Sequence, residues 1–111
     1  MASLKIQDGE AITFITSEDV TAGVVTLLSG GLFVSPHRDA VAGDEVVGEA
    51  VGVYAVPSDA LTWTPGQAVY FNASTKRATQ TAGSNTRMGV CWNGESTVVA
   101  AGDPVLVKIN V

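Results

Sequence analysis

The stretch Glu45-Val-Val-Gly-Glu-Ala-Val-Gly-Val-Tyr-Ala-Val56 decides the fold class. Its valines are stiff at χ1 and favour extended backbone, and its apolar residues do not keep the three-to-four spacing of a helical stripe. Gly48 and Gly52 would weaken a helix. Inside a strand they mark a bulge, a sharp bend or the close approach of another backbone. The segment is read as the longest strand of the chain.

The same grammar extends in both directions. Upstream, Glu10 to Thr16 alternates, with Ile12 and Phe14 on one face and Thr13 and Ile15 on the other. Val24 to Leu28 and Leu32 to Ser35 flank Ser29-Gly30-Gly31 as a hairpin. Downstream, Ala68 to Asn72 and Lys76 to Thr81 flank Ala73-Ser74-Thr75 as a second hairpin. Arg87 to Trp92 and Thr97 to Ala100 flank Asn93-Gly94 as a third, since Asn and Gly tolerate the positive φ of tight turns. Val105 to Val111 closes the chain as a strand. Any helix would be short, with Val20 to Gly23 and Ser58 to Trp63 the only places to look. The expected fold is all-β: a compact sandwich or barrel-like domain of short antiparallel strands and hairpins over residues 10–111, preceded by a polar arm, residues 1–9, that orders on docking.

A small residue or Pro followed by Gly recurs at Ala22-Gly23, Ala42-Gly43, Pro65-Gly66 and Ala101-Gly102. In the last three, two variable positions and a Val follow, which describes a turn feeding directly into a strand. The intervals are unequal, so this is a shared turn device and not a solenoid repeat.

Composition narrows the function. The chain has 111 residues, 46% hydrophobic and only 15% charged, against roughly 25% charged in an average soluble chain. One core fits this length, whereas a cofactor domain plus a substrate domain does not. So little charge on a small globule leaves neutral or apolar surface exposed unless another protein covers it, and self-association is the first inference. The net charge is −5 and the pI about 4.5, the wrong sign for neutralising phosphates, so nucleic acid is not expected as a partner. The charge is uneven, at −7 over residues 1–59 and +2 over residues 60–111. Such polarity would orient packed subunits, although an ordinary solvated surface has the same look.

Cys91 is the only cysteine, which excludes an intrachain disulfide and suits a reducing cytoplasm. The first ten residues lack the apolar core of a signal peptide, and no stretch approaches a membrane span, so neither cleaved export nor membrane insertion is expected. Asn72-Ala73-Ser74 has the form of a glycosylation acceptor and is read as a turn.

Candidate chemistry is sparse. His37 and Cys91 are the sole base and nucleophile of a possible Cys–His site, but Cys91 lies in the apolar Met88-Gly-Val-Cys-Trp92 and His37 in the polar Ser35-Pro-His-Arg-Asp39. They are read as a buried structural thiol and a solvated turn residue. Asp44, Glu45 and Glu49 form the tightest acidic group, without the dense spacing of a calcium loop. Gly30-Gly31 lacks the Lys and Ser/Thr of a phosphate loop, and no Ser lies in a nucleophile elbow. No enzyme, metal site or cofactor is expected. Among the aromatics, Trp63 and Trp92 border turns and are the candidates for an interface or for stacking sugar rings.

Several of these pieces, in this order, resemble a family of small phage proteins, long classed only as a domain of unknown function and associated with capsid decoration, or cement, proteins. In the first half the likeness rests on Ala22-Gly-Val-Val25, Gly30-Gly-Leu-Phe-Val34, Ala42-Gly43 and Gly52-Val-Tyr-Ala-Val-Pro57. In the second it rests on Pro65-Gly-Gln-Ala-Val-Tyr-Phe-Asn72, Asn85-Thr-Arg-Met-Gly-Val90, and Gly102-Asp103 with Val105-Leu-Val-Lys-Ile109. Ser58 stands where a basic residue often follows the Pro57 position, and Cys91-Trp92 is bulkier than usual. The resemblance implies an all-β protein that assembles as a homotrimer on the outside of an icosahedral head and clamps neighbouring major capsid subunits. It also implies a virion location after synthesis in the host cytoplasm, and it carries over no catalytic residue. The candidate interface comprises Ala2, Ser3, Leu4, Lys5, Ile6, Gln7 and Asp8 of the arm, together with Trp63 and Trp92. A tail or fibre accessory and a carbohydrate-binding module are the alternatives, the latter requiring Trp63 and Trp92 to be exposed and coplanar.

Overall fold

The computed structural model describes residues 10–111, so the N-terminal arm expected over residues 1–9 lies outside the described residues. Eleven strands and no helix make up the described chain. Strands β1 (Ala11–Ile15), β2 (Thr26–Leu27), β3 (Phe33–Pro36) and β4 (Glu45–Glu49) form an antiparallel sheet in the order β1-β4-β3-β2. Strands β5 (Val53–Pro57), β7 (Ala68–Asn72), β8 (Arg77–Thr79), β9 (Thr86–Cys91) and β11 (Pro104–Ile109) form a second, in the order β5-β11-β9-β7-β8. Between its two outer strands, Ser58 bridges Ala78 in parallel, so the second sheet curls into a small barrel. Strands β6 (Leu61–Trp63) and β10 (Thr97–Val99) pair as a separate ribbon.

The expected long strand is in fact two, because Gly52 at φ 119 breaks it and sends β4 into the first sheet and β5 into the barrel. Gly48 has the other role foreseen for a strand glycine. A Cβ there would lie 3.2 Å from the Ser35 carbonyl oxygen and 3.2 Å from the Phe14 ring, so its bare backbone lets β3 and Phe14 pack closely. The β2–β3 and β7–β8 hairpins form as expected. The third does not: β9 is paired on both edges, by β7 and β11, and leaves β10 no edge to join. The Asn93 side chain instead accepts the Leu106 N–H at 3.1 Å, and β10 crosses to β6. Neither proposed helix forms. Val20 makes an isolated bridge to Ala40, and Ser58 to Trp63 holds the other bridge and β6. All four glycines of the recurring turn have positive φ, Gly23 at 77°, Gly43 at 95°, Gly66 at 80° and Gly102 at 86°.

The main core fills the barrel with Val56, Val69, Phe71, Met88, Val105, Val107 and Ile109, and Trp63 from the ribbon packs among them. Phe33 of β3 enters the same core and meets Phe71 edge-on, ring centroids 5.5 Å apart. A smaller cluster of Val20, Ala40 and Val46, with Phe14 against it, supports the first sheet alone.

Asn110 ties the two sheets together. It has φ 62, its Oδ1 accepts the Phe33 N–H at 3.0 Å, and its Nδ2 donates to the carbonyls of Phe33 at 2.8 Å and Ala50 at 2.6 Å. Asn tolerates this left-handed backbone better than most residues, and its amide satisfies three backbone groups at the junction. Asn110→Ala should therefore lower stability by about 2–4 kcal/mol, through orphaned polar groups and added backbone strain. Urea denaturation of the variant beside wild type measures this, and Asn110→Asp, which keeps only the acceptor, should fall between them.

Candidate functional site

Among the described residues, the candidate chemical groups do not gather at one place. Cys91 is 1% exposed in the barrel core, while His37 follows β3 in the other sheet with its Nε2 3.1 Å from Glu49 Oε1. The two candidates for a Cys–His pair are thus on separate sheets, one of them sealed from solvent. Glu45 and Glu49 do share one face of β4. Asp44, however, turns to accept the Val41 N–H at 3.2 Å and lies 3.8 Å from Arg38 Nη1. Among the described residues no three His, Cys, Asp or Glu side chains are grouped to hold a metal ion. A groove of about 650 Å³ runs between the Val24 to Leu28 segment and the β7–β8 turn, where Lys76 Nζ is 4.0 Å from Glu18 Oε1. Neither His nor Cys lines it.

Of the candidate interface residues, Ala2 to Asp8 lie outside the described residues, and the two tryptophans have opposite fates. Trp63 has no exposed surface, which corrects its reading as an interface anchor. Its indole N–H donates to Ser58 Oγ at 2.8 Å, and that hydroxyl donates in turn to the Asp59 carbonyl at 2.8 Å. Because the polar tip finds its partner inside the protein, the whole side chain can be core. Ser58 is itself fully buried, which accounts for a small hydroxyl residue at the position where the resemblance leads one to look for a base. With Trp63 enclosed, no coplanar indole pair exists for a sugar to stack on.

Trp92 is 51% exposed on the outer side of the barrel. Its backbone N–H donates to the Leu106 carbonyl at 2.8 Å, and Lys108 Nζ lies 4.7 Å from the indole centroid. A cation over an aromatic face holds both groups in place at small energetic cost. Around this pair the alternate residues of β5 and β11 point outward in register, Val53 opposite Lys108, Ala55 opposite Leu106, and Pro57 opposite Pro104. Val53 and Leu106 are exposed large hydrophobics. The result is an apolar sheet face, a surface that a solitary small domain tends to avoid. Its members other than Trp92 become visible only with the register of β5 and β11, which puts Val53, Ala55, Pro57, Pro104 and Leu106 outward beside the one base, Lys108.

Comparison of the sequence with known proteins places the chain in a family. A family model described as phage cement protein matches residues 6–109. Neither a curated protein nor a solved structure matches the chain. Nearly the whole chain is covered by that match, including all eleven strands and the apolar barrel face, and the protein belongs to the phage cement protein family.

Proposed function

We propose that this protein binds the outside of a phage head as a homotrimer and stabilises the contacts between major capsid subunits. Membership of the cement family carries the reading, since a protein that works by adding contacts needs no active site, and the exposed apolar face around Trp92 supports the self-association part of it. The protein is made in the host cytoplasm and resides on the finished particle. The segment Ala2 to Asp8 is proposed as a docking arm, since it precedes the first strand and is mostly polar. A sugar-binding module is disfavoured by the burial of Trp63.

The reading is tested by mixing purified protein with heads assembled in its absence and sedimenting them. Saturable, stoichiometric co-sedimentation is expected, and deletion of residues 2–8 should weaken binding about tenfold or more if those residues make several contacts with the shell. Absence of binding by the full-length chain would refute the function. Unchanged binding after the deletion would refute only the arm.

A further inference from the structure

Two outward faces have different and complementary make-up. One is the solvent side of β1 and β4, where Ile15 at 64% exposure and Val47 at 41% lie with Glu45 and Glu49. His37 contacts Glu49, and Arg38 at the rim donates to the Glu45 backbone carbonyl at 2.7 Å and faces Asp44. The other is the Trp92 face of the barrel, where Trp92, Leu106 and Val53 are exposed around Lys108. Farther along the same side, Arg87 lies opposite Tyr70. Among the described residues, the outward positions of β5, β9 and β11 include bases but no acid.

These are the local forms of the charge asymmetry along the chain, which is −7 over residues 1–59 and +2 over residues 60–111, with Glu45 and Glu49 in a strand of the first sheet and Arg77, Arg87 and Lys108 in strands of the barrel. Each face has an apolar centre with charge mainly of one sign. Either face placed against its own copy about a twofold axis would bring like charges together, whereas one face against the other pairs opposite charges around a dry centre. Both faces are on every subunit, so the contact repeats head to tail. Only a closed ring then leaves neither face uncovered.

Building on the self-association reading, we infer that the subunit contact is heterologous: the Ile15, Val47, Glu45 and Glu49 face of one copy docks on the Trp92, Leu106 and Lys108 face of the next. The occupant of the barrel face is thus a second copy of this chain, and the phage shell contacts another part of the ring. The pairing also gives the contact its direction. Carboxylates on one side and Lys108 on the other reject the reversed arrangement.

Charge reversal with rescue tests this by light scattering at roughly 0.1 mM, well above a micromolar dissociation constant. The full chain should give a closed oligomer, three copies in the proposed function. Lys108→Glu, or Glu45→Lys with Glu49→Lys, should each weaken association about 100-fold or more, with circular dichroism unchanged. All three substitutions in one chain should restore the oligomer. Leu106→Glu, at a 43% exposed position, serves as the barrel-face variant should Lys108→Glu fail to fold, and it too should be rescued by the paired lysines. A monomeric wild type, folded single-face variants that keep the wild-type mass, or a combined variant that stays monomeric would each overturn the proposal. Variants that remain oligomeric but no longer bind heads would assign the barrel face to the shell, overturning this contact while upholding the proposed head-binding function. Rescue of the oligomer in a protein that never binds heads would uphold the contact and refute the cement function.

Discussion

Gly89→Ala should abolish the fold. In β9, Gly89 pairs with Val69 on one side and Ile109 on the other, and a Cβ added to it would lie 2.0 Å from the Lys108 carbonyl oxygen and 3.1 Å from the Ile109 Cα. Those atoms belong to the backbone of β11, a strand paired on both edges, and have no rotamer to change. The adjoining Met88 is the extra residue of a bulge, since Val69 faces Gly89 while Tyr70 faces Arg87. Its carbonyl accepts the Asn110 N–H at 2.8 Å, so moving β9 away would also disturb the junction between the sheets. Overpacking a core commonly costs about 1–3 kcal/mol, and a backbone clash on both-sided pairing exceeds that, enough to exhaust the margin of a domain this small. Gly94→Ala is the control. Its Cβ would meet nothing within 4 Å, so circular dichroism and denaturation should give a nearly wild-type protein for Gly94→Ala and an unfolded one for Gly89→Ala.

Trp63→Ala should have the next largest effect. The residue is the largest fully buried side chain, and it joins the ribbon to the barrel core. Removing it leaves a cavity and strips the Ser58 hydroxyl of its donor. Truncating a buried aromatic costs about 3–5 kcal/mol. Trp63→Phe retains most of the volume and loses the hydrogen bond, so it should cost about 1–3 kcal/mol. A denaturation midpoint for Trp63→Ala close to wild type would contradict the core role. Because Trp63 is not on the surface, Trp63→Phe should bind heads as wild type does once folded.

Local features of this fold are legible in the sequence, whereas strand pairing and the burial of Trp63 are not. Local signals were legible: valine-rich alternation gave strands, the Ala-Gly and Pro-Gly pairs gave positive-φ turns, and Gly48 and Gly52 announced a close approach and a bend. Pairing was less so, because it depends on which strand edges are free once distant segments have met. Asn93-Gly94 has the chemistry of a two-residue hairpin, yet β9 was already paired on both edges by strands from elsewhere in the chain. The fate of the tryptophans was hidden for a similar reason. Both border turns, and burial of Trp63 depends on a hydroxyl, Ser58, that only folding brings beside its indole. On the surface, the charge asymmetry could be read directly. The apolar face around Trp92 needed the register of β5 and β11 before Val53, Ala55 and Leu106 could be placed on one side.

Under the proposed function, the protein acts because packaged DNA pushes outward on a shell whose weak joints are the contacts between capsomers. A bound oligomer that spans such a joint adds binding free energy available only while the joint is closed, so rupture must break that binding too. A nanomolar contact is about 12 kcal/mol per site, and repetition over a shell makes the total large without any catalysis. The most direct measurement is the temperature at which DNA-filled heads release their DNA, compared for heads lacking the protein and the same heads after its purified form is added back to saturation. Release at a clearly higher temperature in the decorated heads is the predicted result, and identical release temperatures at full occupancy would contradict the account.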